Sequence, residues 1–547
     1  MRGHQLDRPP HVLRPGGYAG KAIDRSSATM FDGRQTHTAI LFPTTPKATV
    51  RYTRLFLVKP TIGPLFRPFP WAIPSPKGTM PGRKIAHPAV ARSGKMGKDC
   101  GMDVSPFPQT LPGGRRARRW AIGVGLTMLG VLGWLALDRF LVDRRPIVVG
   151  ILHSQTGPMA VSERSMVDAE ILALEEINEA GGLLGRPVRW VIADGASDPT
   201  TFARQAERLI RDEKVAVLFG CWTSASRKAV LPVVEEADHL LVYPMAYEGL
   251  EESPQVIYTG AAPNQQITPA VQWCHDTLRA RRFFLVGSDY IWPRCVNAIV
   301  SDQLAGLGAE RVGEAYVPFG STAVDDVVRA IVAAKPDVVL CSVVGDSAVA
   351  FFRGLKEAGI GPETTPVVSF SIAEDELRTI PRDDMIGHYA AWNYFQSIDR
   401  PENQEFVRAF KARYGNDRVT SDVIASAHDS VRLWARAVRE AATSDVDQVR
   451  AAMRHQSLDA PEGIIAVDPN TQHTWRPVFI GRIRGDGQFD IVWTSRTSVR
   501  PMPFPISRSR SAWEKFVDGL YREWGGRWIN PIGAVIAGGS SPTRMTP

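Results

Sequence analysis

From Pro146 onward, short apolar runs alternate with amphipathic stretches. The run Pro146 to Leu152 (PIVVGIL) is continuously apolar, which is typical of a strand buried on both faces of a sheet. The stretch Ser165 to Ala180 places its apolar residues on one helical stripe and ends at a Gly-Gly pair, so it predicts a helix. Further strands (VRWVIAD, VAVLFG, HLLVYP) alternate with predicted helices over Thr201 to Arg211 and Arg227 to Ala237. Repeated β-α-β units predict a doubly wound parallel sheet.

The same pattern restarts at Arg282 with RFFLVGS. Predicted helices cover Val296 to Leu307, Val324 to Lys335 and Phe352 to Ala358, and strands RVGEAYVPF, PDVVLCSVVG and TPVVSF lie between and after them. Two successive α/β halves predict two lobes, and ligands of such sheets bind beyond the carboxyl ends of the strands. The turns at those ends are rich in Ser, Thr, Tyr and Trp but poor in Lys, Arg and His. This composition favours a small, neutral, hydrogen-bonding ligand.

One uncharged run stands before the two halves. Residues Trp120 to Leu137 carry no charge and follow a cluster of four arginines, so residues 120–142 predict a signal anchor or transmembrane segment. The positive-inside rule then puts the rest of the chain outside the cytoplasm. An uncleaved anchor in the inner membrane is favoured, and a cleaved signal is the alternative. Residues 1–119 are basic and rich in proline, so we expect them to be disordered or to precede the true start, with translation beginning at Met96 or Met102.

Composition excludes several classes of protein. The formal net charge of +8 comes entirely from residues 1–119, and the remaining residues, with fewer basic than acidic side chains, show no basic surface for nucleic acid. The 5 cysteines include no C-x-x-C pair, so no zinc or redox site is predicted. Cys274 and Cys295 could pair in an exported protein, but small buried hydrophobes are the favoured interpretation.

Catalytic motifs are absent from the sequence. No G-x-S-x-G, Walker A, H-E-x-x-H or G-x-G-x-x-G follows a predicted strand. We therefore predict no catalytic residue, no metal ligand and no cofactor, and we expect the protein not to be an enzyme. His153 and Ser154 with distant aspartates could form a hydrolytic triad, but no strained nucleophile turn supports that minority hypothesis.

The turns taken together resemble a known family. FGCWTSASRKAVLPVVEEAD, YPMAYEGLEESPQVIYTGAAPNQQITPAVQW, GSDYIWPR, AAKPDVVLCSVVGDS, SIAEDELR, GHYAAWNYFQSIDRPEN and DAPEGIIAVDP resemble the urea ABC transporter substrate-binding proteins. These belong to the short-chain amide and branched-chain amino-acid receptors of the type I periplasmic binding fold. The resemblance covers about residues 147–505.

The resemblance implies a fold and a domain plan. It implies two α/β lobes, each a doubly wound parallel sheet, joined by a hinge of three crossover segments near 263–266, 392–397 and 459–463. Lobe 1 would contain residues 146–263 and 395–460, and lobe 2 residues 267–391 and 464–505. Residues 506–547 would form a C-terminal extension outside the core, with a surface helix.

The resemblance also implies the ligand-binding residues. Trp222, Thr223, Ser224, Tyr243 and Met245 would line lobe 1, where Thr223 and Ser224 open a helix that can donate to a carbonyl oxygen. From lobe 2, ligand contacts would come from Tyr290, Trp292, Asp346 and Ser371. Trp222 and Trp292 could instead be packing aromatics, and Asp346 could cap the helix after its strand.

The function implied is capture of urea or a short-chain amide outside the cytoplasm and delivery to an ABC permease. The acid at Asp346 leaves a small amino acid open as a ligand. Because family members are commonly soluble or lipid-anchored, the predicted anchor raises an alternative, a membrane-tethered sensor that presents ligand state to a signalling partner. An amidohydrolase is the distant third hypothesis.

Overall fold

The computed structural model describes residues 119–120, 123–130, 145–531 and, for the backbone, 536–538. Everything described below belongs to the unit formed by residues 110–547. The predicted tail up to residue 118 and most of the predicted anchor over 120–142 lie outside the described residues. Residues 123–130 are helical and exposed, and no helix in the described part of the chain has the length and apolarity needed to cross a bilayer.

The first half of the chain forms a five-stranded parallel sheet in the order β2-β1-β3-β4-β5. The apolar strands β1, β3 and β4 are interior ones, whereas β2 lies at an edge and exposes Arg189, which explains its mixed sequence. The elements are β1 Ile147–His153, α1 Ala160–Glu179, β2 Val188–Asp194, α2 Pro199–Arg211, β3 Leu218–Gly220, α3 Ser224–Glu236, β4 Leu241–Tyr243 and β5 Val256–Tyr258.

The second half forms the central part of another sheet. Strands β7, β6, β8, β9 and β10 are parallel neighbours in that order. The elements are α4 Ile267–Asp276, β6 Arg282–Ser288, α5 Ile291–Leu307, β7 Glu310–Val317, α6 Asp325–Ala334, β8 Val338–Ser342, α7 Asp346–Glu357, β9 Val367–Ser369 and β10 Tyr389–Trp392.

The rest of the chain returns to both sheets. Helix α9 packs on α1, and its Trp434 meets Phe219 of β3 edge-on at 5.8 Å between ring centroids. The strands β14, β15 and β16 add to the second sheet in antiparallel orientation, giving eight strands. The elements are α8 Pro401–Tyr414, α9 Asp422–Ala441, α10 Val446–Met453, β11 Ser457–Ala460, β12 Gly463–Val467, β13 Thr474–Trp475, β14 Phe479–Ile483, β15 Phe489–Thr494, α11 Arg510–Glu523 and β16 Ile536–Gly538.

Two features of this architecture differ from the sequence expectations. The second sheet is mixed rather than wholly parallel, because its edges are built from antiparallel strands that follow the α/β units in the chain. Helices begin earlier than predicted, α3 at Ser224 instead of Arg227 and α7 at Asp346 instead of Phe352. Their first turns are made of small polar residues, which carry no apolar periodicity for a sequence pattern to detect.

The three crossovers between the sheets are joined by side-chain amides. Asn393 Nδ2 in the second crossover donates to the carbonyl oxygens of Gln265 (2.9 Å) in the first and of Pro477 (2.7 Å), where the chain enters β14 of the second sheet. Gln265 Nε2 donates to the carbonyls of Thr474 and Val499 at 2.9 and 2.8 Å. Because each amide satisfies buried backbone acceptors of a different segment, these bonds fix where the chain passes from one sheet to the other.

Candidate functional site

The site is built from turns at the carboxyl ends of strands in both sheets. After β3 the chain turns through Gly220 (φ +151°) and Cys221 (φ +66°). A Cβ at Gly220 would lie 2.2 Å from the carbonyl oxygen of Leu152, so only glycine fits there. The left-handed Cys221 then places Trp222 before the N-terminus of α3, a strained backbone of the kind that clusters at functional sites.

The turn after β4 forms the neighbouring part of the wall. Tyr243 is fully buried, and its hydroxyl donates to the carbonyl of Trp222 at 2.8 Å, which ties the two turns together. Met245 and Ala246 follow it and are also buried. The first sheet thus presents one continuous, mostly apolar wall.

The opposite wall comes from the turn after β6 in the second sheet. Tyr290 directly precedes α5, and Trp292 lies in the first turn of that helix. Their rings are 6.3 Å apart, and Tyr290 packs against Phe319 at 5.2 Å. Asp289, before them, is fully buried and binds Arg294 at 2.7 Å. The pair fixes the start of the turn.

These turns enclose a small cavity. It lies between Trp222, Ser224, Met245, Ala246, Tyr290 and Trp292, and in this closed form it is too narrow to admit a water molecule. The side chains of Trp222 and Trp292 are only 3% and 2% exposed, and the indole Nε1 of each has no hydrogen-bond partner among the described residues. Burying a hydrogen-bond donor without a partner costs free energy. Two such donors at one cavity therefore indicate a site whose ligand supplies hydrogen-bond acceptors.

A buried charge network lies behind Ser224. Arg227 is fully buried and binds Glu248 and Glu251, each at 2.9 Å, while Lys228 binds Glu251 at 2.9 Å. The guanidinium also lies over the rings of Tyr243 (4.9 Å) and Tyr247 (4.4 Å).

The two cations and two carboxylates of this network cancel. Burial alone raises the pKa of Glu251, but the charges of Arg227 and Lys228 outweigh burial and hold that pKa well below its usual range. Glu251 therefore stays ionised and paired with both cations. This network is electrically neutral as a whole.

Five of the nine residues predicted for the site line this cavity: Trp222, Ser224, Met245, Tyr290 and Trp292. Tyr243 lies behind them and supports Trp222. The Ser224 hydroxyl donates to Glu248 at 2.5 Å and accepts from Arg227 at 3.0 Å, so it serves the charge network. The backbone N–H groups of Ser224 and Ala225, at the start of α3, are the donors left at this position.

The other three predicted residues do not line the cavity. Thr223 caps α3, accepting from the Ser226 amide at 3.0 Å. Asp346 is exposed at the start of α7. The Ser371 hydroxyl donates to the carbonyl of Val343 at 2.6 Å. In the described structure these groups make local bonds or face solvent.

Sequence reasoning missed the charged residues that support the walls. Arg227, Glu248 and Glu251 lie in a predicted helix and turn and were not singled out, although a buried helix face containing two consecutive cations was a usable signal. His153, considered only for a hydrolytic triad, is fully buried, with its Nε2 3.0 Å from Glu170. Burial alone lowers the pKa of His153, but Glu170 and Glu163 raise it to about 9.

A larger groove lies elsewhere on the molecule. It measures about 390 Å³, is lined mainly by apolar groups of Ile299, Leu307, Met502 and Ile506, and is open to solvent. It contains none of the turns at the carboxyl ends of the strands. Asn264 and Gln303 also line it, but their side-chain N–H groups donate to backbone carbonyls of the protein, so the groove is a weaker candidate for a specific polar ligand.

Comparison with known proteins places this geometry in context. Residues 147–510 match the family described as periplasmic binding protein domain. A leucine-, isoleucine-, valine-, threonine- and alanine-binding protein of Pseudomonas aeruginosa is 22% identical over 330 residues, covering 59% of this chain and 86% of that protein. A solute binding protein of an ABC transporter from Rhodopseudomonas palustris, crystallised with p-hydroxybenzoic acid, superposes with a TM-score of 0.60 at 22% identity, covering 65% of this chain and 98% of that one.

One further match is short. A segment is 37% identical over 117 residues to limonene hydroxylase of Geobacillus stearothermophilus, and it spans 21% of this chain and 21% of that protein. A match of that extent carries no argument about the activity of the whole chain. The structural likeness at 22% identity shows the shared two-lobed α/β fold.

Proposed function

The chain belongs to the periplasmic binding protein domain family, and from that premise we propose that it captures urea or a short-chain amide. The family accounts for the coarser role, a non-enzymatic solute receptor of ABC transporters that works outside the cytoplasm. The choice of ligand rests on the cavity itself. The observation that carries it is that Trp222 and Trp292 both line one small site and that the indole N–H group of each is buried without a partner among the described residues.

The neutrality of the wall supports an uncharged ligand. A carboxylate is stabilised most strongly by a free cation, and an ammonium group by a free acid. The nearest cations, Arg227 and Lys228, are already paired with Glu248 and Glu251 inside the protein. An ionic ligand would therefore lose its hydration without gaining a free counter-charge.

The donors in the site suit a carbonyl oxygen. The two indoles and the N-terminal amides of α3 can all donate to one acceptor, and the helix dipole favours its partial negative charge. We propose that the Tyr290 hydroxyl and the backbone carbonyl of Met245 accept the amide N–H groups. The site is closed as it stands, so the two walls must separate to admit a ligand, and the narrow space between them favours urea and acetamide over larger amides.

Calorimetric titration of the full chain tests the ligand. We expect urea and acetamide to bind with little dependence on salt, because neither is charged, and leucine and 4-hydroxybenzoate to bind far more weakly. Binding of a charged ligand in preference to every neutral amide would refute the proposal.

Removing one indole N–H tests the site. Trp222→Phe and Trp292→Phe keep an aromatic ring and should each weaken urea binding by about 1–3 kcal/mol if the lost group is a hydrogen bond to the ligand. Trp434→Phe is a matched control, because Trp434 Nε1 is also buried and unpartnered but packs against Phe219 in the first sheet, away from the cavity. Equal losses of urea affinity in all three variants would mean that the substitutions act through the stability of the protein and not through contact with the ligand.

Delivery to an ABC permease is the role we propose for the loaded receptor, with residues 120–142 as its inner-membrane anchor. Cells lacking the protein should lose uptake of labelled urea at low concentration. Fractionation should find the chain with the inner membrane, and substitution of two charged residues into 120–142 should release it. Unchanged uptake with altered regulation of other genes would favour the sensor alternative.

A further inference from the structure

The segment after the second sheet crosses the candidate site. We call residues 505–531 the C-terminal strap; it contains α11 and the turn that follows it. Most of it lies beyond the region that matches the family, which ends at residue 510. The sequence pattern predicted a surface helix outside the core, but Trp513 is fully buried and Val517 and Trp524 belong to the main core cluster. The strap is therefore packed into the body of the protein.

The end of the strap pairs with the turn that carries Tyr290. Tyr290 and Ile529 form an antiparallel bridge, and the amide of Ile291 donates to the carbonyl of Trp528 at 3.1 Å. Asn530 donates two hydrogen bonds to Asp289. Its backbone N–H donates to the backbone carbonyl (3.1 Å), and its side-chain Nδ2 donates to the carboxylate (2.8 Å). The turn after β6 thus has the cavity on one side and the strap on the other.

The strap also contacts the first half of the molecule. The ring of Trp528 lies under the ammonium of Lys228, 5.0 Å from it, and Lys228 belongs to α3, the helix that begins at Ser224. Arg510 at the other end of the strap binds Glu252 at 2.6 Å. Both contacts reach elements that follow strands of the first sheet.

The strap is itself held in place by contacts with the second half of the molecule. Arg508 binds Asp302 of α5 through two hydrogen bonds of 2.7 Å, and the Arg508 guanidinium lies 4.4 Å from the buried ring of Trp513. Helix α5 begins directly after Tyr290. A strap fixed to α5 therefore moves with the wall of Tyr290 and Trp292, and its contacts to Lys228 and Glu252 join that wall to the opposite one.

We infer that Trp528 and Asn530 are positioning residues for ligand binding: they hold the Tyr290 turn against the cavity and join it to α3. The strap then stabilises the closed arrangement, so its loss should act mainly on ligand release. The expected effect on ligand release rests on the proposed function, whereas the expected effect on the Tyr290 turn does not. A structural segment with no such role would change only global stability.

The test uses the full chain with Trp528→Ala, Asn530→Ala and the conservative Trp528→Phe. In ligand-free protein, hydrogen exchange at residues 289–295 should accelerate at least fivefold in both alanine variants, while exchange in α9 stays unchanged. Stopped-flow measurement with urea should show dissociation accelerated by a similar factor with a smaller change in association. Trp528→Phe should behave much like the parent in both measurements, because an aromatic ring remains beside the ammonium of Lys228.

The controls separate the explanations. Arg329→Ala removes an exposed pair with Asp326 on α6 and should change neither measurement. Exchange at 289–295 that does not change, or that rises only together with exchange in α9, would overturn the inference. If the parent protein binds no urea, the proposed function fails while the exchange comparison still decides the role of the strap.

Discussion

Replacing Arg227 with methionine should be among the most damaging single changes in the molecule. The guanidinium is fully buried and binds two carboxylates, Glu248 and Glu251, each at 2.9 Å. Methionine fills similar space but carries no charge, so two carboxylates would share one remaining cation, Lys228. Removing one partner of a buried pair costs about 3–5 kcal/mol, because the other charge stays buried and uncompensated.

Guanidinium chloride unfolding is the appropriate assay, because urea is the proposed ligand and would stabilise the folded state by binding it. The matched control is Arg413→Met, which removes a two-point pair with Glu175 at the surface and should cost about 0–1 kcal/mol. Adding Glu248→Gln to Arg227→Met restores the charge balance and should recover part of the loss. A loss no larger than that of the control, or a double variant that is simply additive, would refute the reasoning.

The destabilisation caused by Arg227→Met should change with pH in a definite direction. In the parent, the pKa of Glu251 is held well below its usual range, so its contribution to stability is present above its unfolded pKa of about 4.3 and lost as the pH falls. In Arg227→Met one carboxylate lacks a cation, so its protonation stabilises the folded state. The difference in unfolding free energy between parent and variant should therefore shrink as the pH is lowered from about 8 to about 5.

Three other predictions concern the rest of the body. The pKa of His153 is raised to about 9, so its contribution to stability should be complete below about 6.5 and lost as the pH rises through 9. In His153→Gln the melting temperature should therefore depend less on pH across that range than in the parent. Asn393→Asp removes both amide donors between the crossovers and should cost about 2–3 kcal/mol in guanidinium chloride, whereas the exposed Gln404→Glu should cost almost nothing. The four described cysteines are free and buried, so a thiol reagent should react with none of them in native protein and with all of them after unfolding: Cys221, Cys274, Cys295 and Cys341.

The sequence predicted β1 to β4 of the first sheet and β6 to β9 of the second, because most of these strands are apolar runs at regular spacing, whereas the short strands β5 and β10 were missed. Runs such as Ile147–His153 and Arg282–Ser288 are the observed strands almost to the residue. The interpretation of Cys274 and Cys295 as small buried residues is also confirmed, since both are free and buried. Hydrophobic periodicity carries this information locally, without reference to partners distant in the chain.

The site could be predicted only as a set of turns. That Trp222 and Trp292 lie at one cavity depends on how the two sheets face each other, and they are 70 positions apart in the chain. The pairing of Arg227 with Glu248 and Glu251 likewise depends on how α3 lies beside the turn after β4. The antiparallel edge strands and the contacts of the strap were missed for the same reason, because their partners are set by tertiary packing rather than by local pattern.

The family relationship and the site geometry answer different questions about this chain. Relatives at about 22% identity have names or crystal ligands that include amino acids and p-hydroxybenzoic acid, so the fold accommodates ligands of several charges. What distinguishes these ligands is whether a cation beside the cavity is free to meet a carboxylate. Here Arg227 is held by two glutamates and two tyrosine rings, which makes it part of the wall rather than a ligand contact. Under the proposed function, ligand charge is decided by residues that do not touch the ligand, and a change in either glutamate should alter the specificity of the site before it alters its shape.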